Sequence, residues 1–177
     1  MTRIPYCTSM SERARQLSEE RGNLNVYRAL AHAGEVFTGW MLAGREALTS
    51  PVVPARLREL VILRIGYLMN APYETAQHTT VAAHAGVSAR ERAALSSPAP
   101  PTGAGFDETE RSVLELSTEP LITKTVAAER VNAARERLGD AALIEDLLVI
   151  SRWSGLALML NALDDDLDTD ARFTVPR

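Results

Sequence analysis

Glu59, Arg64, Glu74 and His78 are the residues whose types and spacing admit chemistry, and the chemistry they admit is proton transfer. All four lie in RELVILRIGYLMNAPYETAQHTTVAAHAG, residues 58–86, an apolar run interrupted at Asn70-Ala71-Pro72. On a helix, Glu59 shares one side with Ile62, Leu63, Gly66 and Asn70, and Arg64 shares the opposite side with Leu57, Leu60, Val61 and Leu68. Both sides are mostly apolar, so the helix is central and its charges are buried. A buried charge must be paired or must neutralise. Arg64 therefore reads either as half of an ion pair that fixes packing or as part of a site. Glu59 reads either as Arg64's structural counterpart or as part of a site, because Gly66 and Asn70 on its face leave room.

Glu74 and His78 are four apart, on one face of the next helix. Glu74 also falls in the first turn, where the helix dipole favours a negative charge. A carboxylate beside an imidazole orients the ring and suits it to proton transfer near neutral pH. Tyr73 flanks the pair and could donate to a substrate oxygen; as a bland alternative it is a rim or core aromatic, like Tyr67.

Other candidates are weaker. His32 and Glu35 could join Glu59, Glu74 and His78 as carboxylate–imidazole metal ligands. Their order along the helix is the reverse of that in di-iron bundles, and we expect no metal. His84 lies off the His78 face, and Trp153 reads as core or interface. The acidic DDDLDTD near the C-terminus has Ala171 where a calcium loop needs glycine and lacks a closing glutamate, so it reads as a solvated tail. The single cysteine, Cys7, sits in a polar N-terminal arm and cannot form an internal disulfide.

The elements that must position these groups are helices. Residues 1–22 read as an arm or short helix, and 23–177 as one helical domain. NVYRALAHAGEVFTGWMLAGREALTS has apolar residues at helical spacing throughout and reads as one helix despite three glycines. Pro54 starts the Glu59 helix, which runs to about Asn70, and Pro72 starts the next, capped at Gly86. Ser88 and Glu91 form a capping box. Asp107 and Glu110 open a further helix that stops near Pro120. Another ends at Gly139, and Asp140 caps a last one, apolar nearly all round after Leu147. Such a helix needs cover on several sides, which implies a homo-oligomer. No stretch reads as a strand, so the fold is all-α.

Composition sets the remaining bounds. A chain of 177 residues is long enough for one full core. A net charge of −4 with no basic stripe argues against a nucleic-acid partner. No apolar run is long enough to cross a bilayer and the N-terminus has no apolar signal core, so no membrane partner and a cytoplasmic location are expected.

Residues 58–86 resemble the core motif of the carboxymuconolactone decarboxylase family, which includes the alkylhydroperoxidase D-like proteins. The likeness extends to NVYRALAHAGEVF upstream, GVSARERAAL after the motif, and DLLVISRWSGLALMLNALDDDLD near the end. It implies an alkylhydroperoxidase D-like helical fold assembled as a homo-oligomer, a trimer or hexamer, with sites formed by the motif helices. The peroxidase branch carries a glutamate, two cysteines and a histidine. At those positions this sequence has Glu59, Ala71, Glu74 and His78, so thiol peroxidase chemistry is not expected. The decarboxylase branch, which works without a cofactor, is closer. It implies a small-molecule substrate, His78 as acid or base, Glu59 or Glu74 orienting it, and Arg64 or Arg58 as anion anchor. Decarboxylation, lactone opening and isomerisation would all use these groups. The alternative is a non-catalytic small-molecule-binding or assembly protein on the same fold.

Overall fold

The computed structural model describes residues 2–99, 105–168 and 175. Eight α-helices and one 3₁₀ turn account for its regular structure, with no strand among the described residues. In chain order they are α1 (Glu12–Glu19), α2 (Asn25–Leu30), the 3₁₀ turn Ala31–Ala33, α3 (Glu35–Thr49), α4 (Ala55–Leu68), α5 (Pro72–His84), α6 (Ala89–Leu95), α7 (Glu108–Thr123) and α8 (Ala128–Leu163).

The core is built around α4, whose residues Leu57 to Gly66 are all buried. It packs against α5, α6, α7 and α8. One face, with Val61, Ile62 and Ile65, meets Val113 and Leu116 of α7 and Val149, Ile150 and Trp153 of α8. The other, with Leu60 and Leu63, meets Ala82, Leu95 and Leu114. Burial of each such aliphatic side chain stabilises the fold by roughly 1.5–3 kcal/mol. A third cluster joins Leu17 of α1 and Phe37 and Met41 of α3 to Tyr73 and Leu160. Residues 12–19 are thus the short helix of the N-terminal segment, and they are packed.

Between α4 and α5 the chain reverses through Asn70, which takes a left-handed conformation (φ 50°), and Ala71 N–H donates to the Gly66 carbonyl at 2.8 Å. A Cβ at Gly66 would stand 2.8 Å from the Thr75 methyl. The room left by that glycine is therefore taken by α5 itself, which brings the helices bearing Glu59 and His78 close together.

Three expected boundaries move. The single helix read over residues 25–49 is broken at Gly34 (φ 56°, ψ −123°) into α2 and α3. Pro120 does not stop α7, which runs on to Thr123 and ends at a left-handed Lys124. Proline forfeits one backbone bond in that last turn, and the Lys124 N–H closes it on the Pro120 carbonyl at 3.1 Å. Gly139 (φ 76°, ψ 170°) breaks α8 at the expected place, but the two halves form one kinked element. The expected capping box of Ser88 with Glu91 is formed, and Asp107 with Glu110, expected only to open a helix, forms a second. Arg56 at the start of α4 bridges the two box carboxylates, 2.7 Å from each, and so ties the starts of α4, α6 and α7 together.

Candidate functional site

His78 is held from both sides. Its Nδ1 lies 2.8 Å from Glu59 Oε2, and the Trp153 indole Nε1–H donates to its Nε2 at 3.3 Å. An indole nitrogen only donates, so His78 Nε2 accepts and its ring proton sits on Nδ1, donated to the Glu59 carboxylate. Carboxylate and indole thus fix one neutral tautomer. The Trp153 ring meets the imidazole edge-on, with centroids 6.0 Å apart and planes at 83°. Glu59, Glu74 and His78 are all buried, at 1, 2 and 5 % exposure.

Glu74 is the second proton-bearing group. Neither of its carboxyl oxygens has a hydrogen-bond partner among the described residues. Burial, and secondarily the Glu59 charge, raises its pKa well above the ordinary carboxylate value and favours the protonated form. The helix dipole at the start of α5 does not keep it ionised, because desolvation outweighs a dipole effect of about 1 kcal/mol. One turn of α5 thus carries a carboxyl group biased towards its protonated form and an imidazole that donates from Nδ1 and accepts at Nε2. Two groups in contrasting protonation states are what acid–base catalysis requires.

Glu74 and His78 line a cavity whose space, including the part open to solvent, is about 490 Å³. Tyr73, Gln77 and Trp153 also line it, as do apolar side chains from α2, α3 and the end of α8. Glu59 does not; it stands behind His78 as the group that orients it.

The remaining expected site residues go elsewhere. Arg64 is fully buried but has no carboxylate partner among the described residues. Its guanidinium donates to Thr118 Oγ1 at 2.9 Å, to the Leu95 carbonyl at 2.8 Å, and to the carbonyls of Ser97, Pro98 and Ala99. It caps the end of α6 and pins the following loop, and so serves neither as an ion-pair partner nor as a lining of the cavity. Arg58 donates to the carbonyls of Val53, at 3.1 Å, and Ser50, and likewise lies outside the cavity. Tyr73 does reach it, but its hydroxyl donates to Asp168 and accepts the Val26 N–H at 3.2 Å. Asp168 also accepts from the Asn25 N–H at 2.9 Å and the Gln77 amide at 3.0 Å. That acid is a tether for the C-terminal segment, not part of a solvated tail; Asp170 and Ala171 lie outside the described residues.

His32 is exposed and bonded to the Pro5 carbonyl at 2.8 Å, and Glu35 is exposed. No group of three metal-ligating side chains converges among the described residues. Sequence reasoning missed Trp153 as a ligand-facing group, along with Arg21 and Arg152, which also line the cavity. A signal was present in the adjacent Arg152-Trp153, the one cation within the most apolar stretch of α8.

Comparison with known proteins bears on the fold that carries this site. Residues 34–119 match the carboxymuconolactone decarboxylase family. The fold is similar to the crystal structure of an alkylhydroperoxidase AhpD core, a peroxidase-related protein from Ralstonia eutropha JMP134. The TM-score is 0.77 at 17 % identity, covering 96 % of this chain and 93 % of that one. It is also similar to the debrominase Bmp8 in complex with 2,3,4-tribromopyrrole, with a TM-score of 0.74 at 14 % identity, covering 96 % and 95 % of the two chains. No curated protein sequence matches the chain.

Proposed function

We propose that this chain, which matches the carboxymuconolactone decarboxylase family over residues 34–119, is an acid–base enzyme working without a cofactor on a small oxygenated metabolite. The observation that carries this reading is the pairing of a buried Glu74, without a hydrogen-bond partner among the described residues, with a Glu59-oriented His78 on one cavity wall. A binding or assembly protein has no need of a carboxylic acid held neutral at such cost, nor of a single imidazole tautomer.

Decarboxylation uses both groups most directly. The bond to the carboxylate carbon breaks and carbon dioxide leaves. The electron pair passes into an adjacent carbonyl as an enolate, and Glu74 delivers its proton to the carbon. A proton from solvent entering the cavity then restores Glu74, balancing the one delivered to carbon. Burial strengthens each electrostatic contact in this sequence, because the low local dielectric leaves charge less screened. Lactone opening or isomerisation would draw on the same acid and base.

Thiol chemistry has no footing at this site, where Ala71 and Glu74 stand at the cysteine positions of the peroxidase motif. Cys7 lies in the N-terminal segment, its thiol on the Ser9 carbonyl at 3.3 Å.

The test is turnover on a panel of small lactone acids and β-keto acids, followed by solvent-deuterium incorporation into product. His78→Ala is expected to lower turnover by about two to four orders of magnitude with folding largely intact. Glu59→Gln keeps the shape and removes the charge, and should fall between the two. Full activity in His78→Ala would overturn the catalytic reading in favour of a binding role.

A further inference from the structure

Two cations in the cavity have no anion. Arg21, which follows α1, is 2 % exposed, and its Nε and one Nη have no hydrogen-bond partner; its other Nη meets only the Met41 sulfur at 3.5 Å. Arg152 of α8 lies with its guanidinium stacked over the Trp40 ring, 3.8 Å from the centroid. Neither forms an ion pair among the described residues. Glu20, the acid next to Arg21 in sequence, is half-exposed and faces Arg45 at 3.8 Å. Isolated burial of a cation costs several kcal/mol, and two in one cavity also repel each other. Burial, and secondarily Arg21, lowers the Arg152 pKa to about 10.

The seat of Arg152 is built into the backbone. A Cβ at Gly44 of α3 would stand 2.1 Å from Arg152 Nη2 and 2.5 Å from its Cζ. The guanidinium therefore lies on bare helix backbone on one side and on an indole on the other. Tyr27 is close enough for its phenol to feel both arginines. The rest of the lining is largely apolar, including Leu24, Leu156 and Leu160.

We propose that Arg21 and Arg152 form a clamp for the carboxylate of a small organic acid with a flat apolar body, bound in the cavity lined by Glu74 and His78. Guanidinium groups match a carboxylate with paired N–H donors, and one carboxylate between two of them satisfies the orphaned donors and relieves their repulsion. The apolar walls select an organic anion over an inorganic one. This deepens the acid–base reading by naming its ligand class and the residues that select it.

Trp40 and Trp153 are the chain's two tryptophans and both line the cavity, so intrinsic fluorescence reports on this site. The probes are benzoate, its neutral isostere benzamide, and inorganic phosphate. Benzoate should give a saturable change, with benzamide and phosphate at least about tenfold weaker. Arg21→Met and Arg152→Met should each weaken benzoate by about tenfold or more. Gly44→Ala should do the same by displacing the Arg152 head while keeping its charge, which covers the case in which an arginine variant fails to fold. Absence of saturable benzoate binding, equal binding of benzamide, or undiminished binding by the folded arginine and Gly44 variants would overturn the clamp. If benzoate depends on the arginines while His78→Ala retains full turnover, the clamp stands and the acid–base reading falls.

Discussion

Glu74 and His78 sit one turn apart on α5, but their protons are held by different physics. His78 is held by bonds, from Nδ1 to Glu59 and from the Trp153 indole to Nε2. Glu74 is held by their lack, since its buried carboxyl has no partner among the described residues, and burial first and the Glu59 charge second disfavour the charged form. The consequence for stability has a definite sign. The folded pKa of Glu74 is raised, so folding retains a proton that the unfolded chain releases near pH 4.5. Its burial is therefore least costly below that pH, and stability falls as pH rises from there through the folded pKa. Glu74→Gln keeps the shape and cannot ionise. It should flatten the alkaline loss of stability in urea denaturation at pH 5 and pH 8, and be no less stable than the parent at pH 8. It should also lower turnover by about two to four orders of magnitude. A variant that loses stability at pH 8 would show that the ionised carboxylate is the native form.

At the scale of elements, α4 owes its position to two arginines at opposite ends of their usefulness to a site. Arg56 ties the capping boxes of α6 and α7 to the start of α4, and Arg64 collects the carbonyls after α6. Arg64→Ala would strand the Leu95 carbonyl and open a cavity in the core, while the Thr118 hydroxyl would keep its bond to the Leu114 carbonyl. Chemical denaturation should show a loss of about 3–5 kcal/mol, with ligand binding in the distant cavity changed little in the folded fraction. A loss below 1 kcal/mol would mean the loop holds itself. The helices themselves were legible in the sequence because each announces its ends: Pro72 at the start of α5, Gly86 after it, Ser88 with Glu91, and Asp107 with Glu110. The burial of Glu59 was legible from an all-apolar helix. The partner of Arg64 was not, since backbone carbonyls are invisible to residue types. Nor was the break at Gly34, because apolar spacing continues across it, or the role of Arg21, whose polar segment conceals that α1 packs against α3.

At the scale of the molecule, α8 is partly covered by its own chain. Val149, Ile150, Trp153, Ala157 and Leu160 are buried, whereas Ile144, Leu148 and Leu158 are 57, 63 and 61 % exposed. With Ser151 and Gly155 between them, these positions recur every three or four residues and form one stripe along the helix. A second copy of this chain is the expected cover, and sedimentation should show an oligomer that Leu148→Glu shifts towards monomer. A folded monomer at micromolar concentration in the parent protein would contradict this. No described helix is long and apolar enough to cross a membrane, so the stripe is not part of a spanning segment.

The central claim is that the cavity wall carries a neutral carboxylic acid beside an oriented imidazole. The most direct test needs no substrate: carbon-13 NMR of the glutamate side-chain carboxyls across pH, with Glu74→Gln identifying the Glu74 signal. The account predicts that this signal keeps the shift of a protonated acid at pH 7, far above the range in which an ordinary glutamate titrates. A Glu74 signal that moves to the carboxylate position near pH 4.5 would contradict it.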